Sequence, residues 1–486
     1  MSLHDLPSPD LLAAPGRRPR VVVVGAGHGG LACVEALAPA AVDVLLVDRN
    51  NYHKFQPLLY QVATAGLDVD DITQPIRHIV RRHDRVDVAL GLVTGADLDR
   101  QTLALDTGDE ISWDALVLAP GASTAYYNVE GAFEHSYPMK NVADALALRS
   151  HVLSQFEAAA RDPEAVGEGA LTMVIVGGGP TGVEMAGALR ELMVVLAKDF
   201  PRLDVGRARV VLVDGEALPL GGYDGDLRQY ARDELVRRGA EVRLGVHVAR
   251  VEPGGVTLAD GARIDARTVV WAAGVRANPL ADALGLEQTG GGRLAVDRTL
   301  RVPGRRRVFV VGDAAGARDD GGELYPQVAQ VAIQQGRHAA RLVEAMASGD
   351  RSGAADAPFE YRDLGQMATI GRNAAVLQTP AGLKLTGFLA WAGWLVVHIV
   401  KLVGFRNRVS VFWSWLYGYV TFDRGPRLIL TAERGEGGGR PVLATAPTER
   451  TGEGAEGGSH DPRLADGATA SEPAADGRPG WSGGQP

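Results

Sequence analysis

The chain has 486 residues, of which 46% are hydrophobic and 22% charged, and its formal net charge is −9. A single hydrophobic core stops growing at roughly 250–300 residues, so we expect at least two folded domains of ordinary globular composition. The negative charge argues against nucleic acid as the main partner, because phosphate binding needs a basic surface.

The N-terminal part of the chain predicts one βαβ unit. Residues 1–17 are expected to be a flexible leader, without the apolar core of a signal peptide. Val21–Val24 is a continuous β-branched run, which suits a buried parallel strand. Leu31–Leu37 is then predicted to be a helix and Val42–Val47 a second strand.

The same order of elements recurs later in the chain. Leu171–Val176 is predicted to be a strand, Pro180–Lys198 a long helix with proline at its start, and Arg209–Val213 the next strand. Two βαβ units predict an α/β protein with two Rossmann-like dinucleotide-binding domains.

Three later strands end in small residues and set the expected domain boundaries. They are Ala115–Leu118, Thr268–Trp271 and Val308–Val311, and the last of them suggests that the chain returns to the first domain. We therefore expect the first domain at 18–150, the second domain at 151–290 and the rest of the first domain at 291–380. Residues 381–430 form a separate module, and residues 431–486 are expected to be a disordered tail.

A glycine-rich loop follows the first strand of the first unit. Gly25, Gly27 and Gly30 fit the G-x-G-x-x-G spacing. In that motif the first glycine permits a tight turn, the second lets the backbone approach a pyrophosphate, and the third lets the helix pack on the strand. Asp48 ends the second strand, where a carboxylate can bind a ribose diol.

The second unit repeats this arrangement. Gly177, Gly179 and Gly182 have the same spacing, and Asp214 ends the following strand. An anion at this place repels a 2′-phosphate, so we expect NADH rather than NADPH. Two loops of this kind, each with its acid, predict two dinucleotide sites. The histidines are scattered without the Cys/His spacing of a metal site.

With these loops the sequence resembles the two-dinucleotide-binding-domain flavoproteins of the glutathione-reductase-like fold. In that group the first unit holds FAD and the inserted unit holds the nicotinamide. Gly312-Asp313 matches the second flavin motif, although Asp313 could also be a helix N-cap ahead of Ala314. Cys33 is the only cysteine, so relatives with paired redox cysteines are poor models, and we expect it to be packed.

Three segments resemble the type II NADH:quinone oxidoreductases, and the resemblance covers about Val21 to Leu430. Asn51–Thr64 is similar to the family segment after the first unit, and Tyr325–Gln334 contains the A-Q-x-A-x-Q quinone motif. His398 and the segment Gly404–Arg408 resemble the C-terminal membrane module. The departures are His28, where an aromatic residue is frequent, and Pro120, which replaces a common threonine.

The resemblance implies the following site residues. For FAD they are Gly25, Ala26, Gly27, His28, Gly30, Asp48, Arg49, Val93, Ala119, Gly121, Asp313, Ala329 and Lys384. For NADH they are Gly177, Gly179, Pro180, Thr181, Gly182, Glu184, Asp214 and Gly274. For the quinone they are Tyr60, Gln61, Gln330 and Gln334.

Two of these residues are the candidates for a catalytic role. The Gln330 amide is expected to donate to a quinone carbonyl, and Gln334 to line the quinone tunnel one turn later. Glu184 has two open roles, a proton relay or a ribose or amide hydrogen bond. Lys384 is expected to close over the flavin site.

The region from Leu364 to Phe422 contains no Asp or Glu. It carries five positive charges, Arg372, Lys384, Lys401, Arg406 and Arg408, and four of the seven tryptophans of the chain. Trp391, Trp394, Leu395, His398 and Leu402 fall at helical spacing, which predicts an apolar face that meets lipid. A dimer interface is the alternative for this face. No apolar stretch reaches the roughly 18–20 residues of a membrane span.

The resemblance implies an FAD enzyme that takes hydride from NADH and passes two electrons to a membrane quinone without pumping protons. We expect it at the cytoplasmic side of the cell membrane as a peripheral protein. A homodimer is a further expected partner state. Two other functions stay open: a soluble NAD(P)H diaphorase or reductase with a protein, iron or oxygen acceptor, and a flavoprotein redox sensor.

Overall fold

The computed structural model describes Leu12, residues 17–350 and residues 352–430. The predicted leader lies outside these residues except for Leu12 and Arg17, and the predicted tail lies wholly outside them. Leu12 is buried in the core of the first domain and Arg17 forms an ion pair with Asp114.

The described chain contains twelve α-helices and twenty-five strands. The α-helices are α1 (His28–Leu37), α2 (Leu59–Ala63), α3 (Val69–Ile72), α4 (Ile76–Val80), α5 (Ala132–His135), α6 (Val142–Arg161), α7 (Pro180–Asp199), α8 (Gly225–Arg237), α9 (Leu280–Ala283), α10 (Ala329–Ser348), α11 (Gly387–Lys401) and α12 (Phe405–Thr421). The strands are β1 (Arg20–Val24), β2 (Asp43–Asp48), β3 (Tyr52–Lys54), β4 (Thr73–Pro75), β5 (Val86–Leu90), β6 (Val93–Asp97), β7 (Thr102–Leu105), β8 (Glu110–Ser112), β9 (Ala115–Leu118), β10 (Ala122–Thr124), β11 (Tyr137–Pro138), β12 (Thr172–Val176), β13 (Arg209–Asp214), β14 (Glu241–Leu244), β15 (Val248–Glu252), β16 (Gly255–Leu258), β17 (Arg263–Asp265), β18 (Thr268–Trp271), β19 (Val275–Ala277), β20 (Gln288–Thr289), β21 (Arg293–Leu294), β22 (Val308–Val310), β23 (Gln366–Gly371), β24 (Ala374–Gln378) and β25 (Lys384–Thr386).

Two five-stranded parallel sheets form the framework. The strand order is β22-β9-β1-β2-β5 in the first sheet and β11-β18-β12-β13-β14 in the second. The residues of β1, β9, β12 and β18 are almost all buried, because helices cover both faces of a parallel sheet. Strand β22 pairs with β9, so the chain returns to the first sheet after the second sheet.

The predicted boundary at residues 150/151 is wrong. It falls inside α6, whose buried residues belong to the core of the second sheet. Strand β11 is the edge of that second sheet, so the second domain already begins before Tyr137–Pro138. The chain crosses between the domains through β10 and β19, which pair with each other as antiparallel strands.

The predicted end of the first domain at residue 380 also changes. Strands β23, β24 and β25 form an antiparallel sheet, and Ala368, Ile370 and Val376 are buried in the core of the second domain. This sheet packs against α7 and α11. The first domain therefore ends before β23.

Helices α11 and α12 correct the prediction for the C-terminal apolar face. Trp394 is only 1% exposed and Leu402 is equally buried, so the helical stripe predicted to meet lipid packs on the second core instead. The opposite side leaves other apolar side chains in solvent. We call this set the exposed apolar face: Phe388, Leu389, Val396, Val397, Val400, Phe405, Val409, Phe412, Trp413, Leu416, Tyr417, Tyr419 and Val420.

Two of the five positive charges of this region contact aromatic rings or acidic side chains. The Arg372 guanidinium lies between the rings of Tyr419 and Phe422, 3.9 Å and 3.8 Å from their centres. Lys384 forms ion pairs with Asp224 and Asp226. Among the described helices, none is long and apolar enough to cross a lipid bilayer.

Candidate functional site

The two glycine loops have the same hydrogen-bond geometry. In the first, the Gly25 N–H donates to the Val47 carbonyl at 2.7 Å; in the second, the Gly177 N–H donates to the Val213 carbonyl at 2.8 Å. Each loop is thus held to the end of the neighbouring parallel strand. Each also leads directly into a helix whose N-cap is a glycine and whose first turn has no acidic residue.

The outer glycines of each loop are fixed by close packing of the backbone. Gly25 and Gly177 have φ values of +98° and +107°, which disfavour any residue with a side chain. A Cβ at Gly30 would overlap the carbonyl oxygen of Gly25, and a Cβ at Gly182 would overlap that of Gly177. These contacts explain why the spacing is the same in both units.

The middle glycines are different, because they border open space. No atom lies within 4 Å of the position that a Cβ would take at Gly27 or Gly179. The backbone N–H groups at the start of α1 and α7 are therefore approachable, and their positive dipole ends attract an anion. Both cradles fit a dinucleotide pyrophosphate.

Asp48 and Asp214 each fasten the loop beside them. One Asp48 carboxylate oxygen accepts from the Ala26 N–H and the other from the Asn50 N–H, both at 2.7 Å. One Asp214 oxygen accepts from the Gly178 N–H and the other from the Glu216 N–H. Each acid is half-buried at the edge of its cradle, where its remaining lone pairs can meet a ribose diol.

The flavin motif Gly312-Asp313 lies in a single 3₁₀ turn. The Asp313 side chain does not cap this turn, so the N-cap alternative is wrong. Its carboxylate instead lies 3.5 Å from the Lys140 ammonium, and its carbonyl accepts from the Gln327 amide at 2.9 Å. Gln335, which the sequence did not single out, fixes the turn by accepting from the Gly312 N–H at 2.7 Å.

Two histidines lie against the first loop with unpaired buried nitrogens. His53 bonds through Nδ1 to the Ala26 carbonyl at 2.8 Å, and its ring contacts His28 edge to face. The Nε2 atoms of both rings are buried without a partner in the described residues. Burial lowers the pKa of His28 to about 3, so its ring is neutral and fits beside a cofactor as a polar surface.

A half-buried lysine next to these histidines, Lys54, was missed by the sequence analysis. Lys54 donates to the Lys140 carbonyl, and Asn141 Oδ1 lies 3.5 Å away. Burial, with the nearby charge of Lys140, lowers the pKa of Lys54 to about 8. The family resemblance covers the segment that contains Lys54, but it implied no role for this residue.

Glu184 lies on α7, one turn into the helix that follows the second loop. Burial raises its pKa to about 8, while the nearby Thr369 backbone and Trp394 indole lower it by less. The Trp394 Nε1 atom is buried without a hydrogen-bond partner among the described residues. At neutral pH Glu184 is therefore protonated and can donate a proton.

Tyr60 and Gln61 lie beside this glutamate. Burial raises the pKa of Tyr60, and the charge of Glu184 adds to the shift. The Gln61 amide donates to the Tyr60 hydroxyl at 3.0 Å and accepts from the Trp415 indole at 2.7 Å. Glu184, Tyr60, Gln61, Trp394 and Trp415 form what we call the glutamate cluster.

Aromatic contacts join the glutamate cluster to the first loop. His28 packs against Phe55 at 6.0 Å between ring centres, and Phe55 packs against His398 at 6.1 Å. His398 in turn stacks on Trp394 at 3.9 Å. This row of rings leads from the first cradle to α11.

The two motif glutamines differ from the prediction. The Gln330 Nε2 donates to the Gly365 carbonyl at 2.8 Å, and its Oε1 is buried without a partner in the described chain. Gln330 therefore presents an acceptor rather than the expected donor. The Gln334 amide donates to the Arg362 carbonyl at 2.8 Å and accepts from the Arg362 N–H at 2.9 Å. The prediction that Gln334 lines the quinone tunnel is therefore wrong, because both ends of its amide bind the backbone.

The prediction that Lys384 closes over the flavin site is also wrong. Its ammonium lies 2.6 Å from Asp224 and 3.2 Å from Asp226, at the start of α8 in the second domain. The sequence could not show this because the acids precede Lys384 by more than 150 positions. Lys384 ties β25 to α8.

The remaining predicted residues lie around the two cradles. Ala119 lies against Gly25, and Gly121 has a φ of +75° with open space at its Cβ position. Ala329 begins α10, Pro180 begins α7, and Thr181 and Arg49 are exposed. Val93 is buried in the first core, and Gly274 follows β18 beside the second loop.

Cys33 is buried in α1, as expected. Burial raises the pKa of its thiol to about 12, which removes the reactive thiolate at neutral pH. Cys33 therefore stays a neutral thiol packed in the core at neutral pH.

Comparison with known proteins agrees with the geometry. A family model of pyridine nucleotide-disulphide oxidoreductases matches residues 19–336. The type II NADH:quinone oxidoreductase Ndh of Mycobacterium tuberculosis is 38% identical over 433 residues, covering 86% of this chain and 92% of the relative. The internal alternative NAD(P)H-ubiquinone oxidoreductase A1 of Arabidopsis thaliana mitochondria is 30% identical, covering 83% of this chain and 85% of the relative.

A solved structure has the same fold. NDH2 from Plasmodium falciparum, in complex with NADH, has a TM-score of 0.78 at 18% identity, covering 85% of this chain and 100% of that one. This structural match agrees with the sequence relatives on the family of the chain. It belongs to the pyridine nucleotide-disulphide oxidoreductase family and, within that family, to the type II NADH:quinone oxidoreductases.

Proposed function

We propose that this protein is an FAD-dependent enzyme that oxidises NADH and reduces a membrane quinone, without coupled proton pumping. The observation that supports this most is the pair of equivalent open cradles at Gly27 and Gly179, with a half-buried Glu184 of raised pKa close behind the second. The relatives named as NADH:quinone oxidoreductases support the choice of substrates.

The first cradle, at Gly25–Gly30 with Asp48, would hold the FAD pyrophosphate and ribose. Asp313 and the unpaired nitrogens of His28 and His53 would face the rest of the cofactor. Bound there, FAD supplies the hydride acceptor and the route for two electrons. The protein contributes position and electrostatics.

The second cradle orients NADH across the end of the second sheet. The N–H groups of α7 would bind its pyrophosphate, and Asp214 would accept hydrogen bonds from the adenosine ribose. The hydrogen bond from this loop to the end of β13 fixes the loop that would position the nucleotide. A nucleotide held in one orientation has already lost the translational and rotational entropy that the reaction would otherwise cost.

The glutamate cluster would serve the quinone. Reduction of a quinone to a quinol takes two electrons and two protons; NADH provides the hydride and solvent provides one more proton. Glu184 is protonated at neutral pH and can supply that proton, with Tyr60 beside it. The Gln330 carbonyl oxygen can accept a hydrogen bond from the quinol hydroxyl.

Steady-state NADH oxidation by the holoenzyme tests this function. With a soluble quinone analogue present, we expect the rate to exceed the rate with oxygen alone by at least about tenfold. A rate that quinone does not raise would instead favour the diaphorase with an oxygen or protein acceptor. A long-lived reduced complex with slow turnover would favour the redox sensor.

Replacement of Asp214 tests the choice of NADH. Asp214→Asn keeps an acceptor for the Gly178 N–H but removes the charge that repels a 2′-phosphate. We expect the ratio of kcat/KM for NADH to that for NADPH to fall about tenfold, or about 1.4 kcal/mol. Asp48→Asn, the equivalent change in the first cradle, should leave the ratio unchanged. An unaltered ratio in Asp214→Asn removes this carboxylate from the ribose site.

We also propose that the exposed apolar face docks on the membrane that holds the quinone. Phe405 is 80% exposed and Val400 is 60% exposed, and Lys401 and Arg406 next to them are exposed cations. Apolar and aromatic side chains flanked by cations suit the interface of an anionic bilayer. The protein would then bind as a peripheral protein at the cytoplasmic side of the cell membrane.

The double variant Val400→Ser/Phe405→Ser tests the docking surface. We expect its binding to vesicles with anionic lipids to fall at least about tenfold, because two apolar side chains no longer enter the bilayer. Leu90→Ser is the control, since Leu90 is also 60% exposed but lies on β5 of the first sheet. Unchanged vesicle binding together with loss of a dimer would assign the face to a homodimer interface.

A further inference from the structure

Tyr127 is an aromatic residue that the proposed mechanism does not use. It lies in the segment between β10 and α5, and 65% of its surface is exposed. Its neighbour Tyr126 behaves in the opposite way, packing against Trp271 at 5.7 Å and Phe133 at 5.5 Å between ring centres. The fold thus packs one tyrosine of the pair against other rings and leaves the other exposed.

The backbone holds Tyr127 in an unusual conformation. Tyr127 and Asn128 have φ values of +52° and +56°, in the left-handed region that residues with side chains rarely adopt. Two hydrogen bonds fix the segment just before them. The Ala125 N–H donates to the Gly274 carbonyl at 3.1 Å, and the Trp271 indole donates to the Ala125 carbonyl at 2.8 Å. Such strain persists only where the surroundings enforce it.

The phenol of Tyr127 occupies the place where Gly274 would carry a side chain. A Cβ at Gly274 would overlap the Tyr127 hydroxyl oxygen. Gly274 follows β18 at the carboxyl edge of the second sheet, and Ala273 next to it lies against Gly177 of the second cradle. Tyr127 therefore contacts Gly274, and the residue before Gly274 contacts the loop that would bind the dinucleotide.

The strand order shows which half of the dinucleotide meets Tyr127. Strand β12 lies between β18 and β13, and the second cradle follows β12. Asp214 ends β13, so the adenosine half lies on that side of the pyrophosphate. The nicotinamide half must then extend toward the end of β18, where Gly274 and the Tyr127 phenol lie.

We propose that Tyr127 binds the nicotinamide riboside half of NADH, with its ring as a contact surface and its hydroxyl as a hydrogen-bond partner. This inference rests on the proposed function. It gives the second cradle a recognition element for the reactive half of the substrate, which neither the glycine loop nor Asp214 contacts. The lack of a side chain at Gly274 is also explained, because a Cβ there would overlap the Tyr127 phenol.

Comparison of NADH with ADP-ribose, which lacks the nicotinamide riboside, tests the assignment on the holoenzyme. The Kd of NADH is measured by anaerobic rapid mixing and that of ADP-ribose by calorimetry. For Tyr127→Ala we expect the Kd of NADH to rise about tenfold and that of ADP-ribose to change less than about twofold. Tyr127→Phe, which keeps the ring, should lie between wild type and Tyr127→Ala.

Phe133→Ala is the matched control, because Phe133 lies in the adjacent α5 and is 62% exposed but packs on Tyr126. It should alter neither Kd. Equal weakening of NADH and ADP-ribose in Tyr127→Ala, or no change in the Kd of NADH, would overturn the inference while the proposed function stands. If wild-type holoenzyme binds no NADH at all, both fail together.

Discussion

Gly179→Val is expected to weaken NADH binding severely while FAD stays bound. The backbone at Gly179 is extended, with a φ of −68°, so a β-branched residue can adopt it without strain. No protein atom lies within 4 Å of the Cβ position, so the side chain fills only the space where the pyrophosphate would lie. We expect KM for NADH to rise at least about 100-fold, or about 2.7 kcal/mol, in steady-state kinetics.

The reciprocal change, Gly27→Val, serves as the matched control. Gly27 has a φ of −71° and the same open space, but it belongs to the first cradle. This variant should fold and lose FAD, measured as flavin absorbance per protein, while it keeps its affinity for ADP-ribose. If Gly179→Val lost FAD, or if Gly27→Val kept FAD and lost ADP-ribose, the two loops would be assigned the wrong way round.

Glu184→Gln is expected to slow quinone reduction about 100-fold, within the range for loss of a general acid. Glutamine fills the same space but cannot give up a proton. In the wild type, quinone reduction should decline above about pH 8, because the pKa of Glu184 lies there. The rate of the variant should not depend on pH in that range. Reduction of the bound flavin by NADH alone should change little.

The same group makes stability depend on pH. The pKa of Glu184 rises from an ordinary value of 4.5 to about 8 on folding, because burial disfavours the carboxylate. Between these values the folded state binds a proton that the unfolded state has lost, so stability falls as pH rises through this window. From about pH 5 to about pH 9 the wild type should lose up to about 4 kcal/mol more than Glu184→Gln.

Two results would contradict this account of Glu184. One is an equal loss of Tm in wild type and Glu184→Gln over that range. The other is a Glu184→Gln enzyme that reduces quinone at the wild-type rate with the wild-type pH profile. Either would leave the glutamate with the alternative role, a hydrogen bond to the ribose or amide of NADH.

The framework could be predicted from the sequence because its signals are local. Val21–Val24 and Leu171–Val176 are apolar runs that only a covered parallel sheet suits, and each is followed at once by its glycine loop. The acids Asp48 and Asp214 end the next strand in each unit, so their place beside the loops follows from the topology. Spacing along the chain was sufficient for all of this.

The errors arose where distant segments decide the outcome. Helical periodicity marked Trp394 and Leu402 as one apolar stripe, but periodicity does not say whether lipid or protein covers a stripe. Gln334 lies one turn after Gln330 as expected, yet the backbone of Arg362 takes up its amide. Such partners come from long-range packing, which spacing cannot show.

The surroundings of Glu184 also depend on segments that are distant along the chain. Glu184 was a candidate on resemblance alone, with two roles open. Burial raises its pKa, and the groups that lower it by less, Trp394 of α11 and Thr369 of β23, lie far along the chain from α7. The fold supplied the burial, and the burial makes the proton relay the more favourable of the two roles.

The stoichiometry of an anaerobic reaction tests the central claim most directly. Holoenzyme is mixed with NADH and a quinone in lipid vesicles, and both NADH loss and quinol formation are followed. The account predicts one quinol for each NADH oxidised, over many turnovers and without oxygen. NADH oxidation that stops after one equivalent per enzyme, or that requires oxygen, would contradict it.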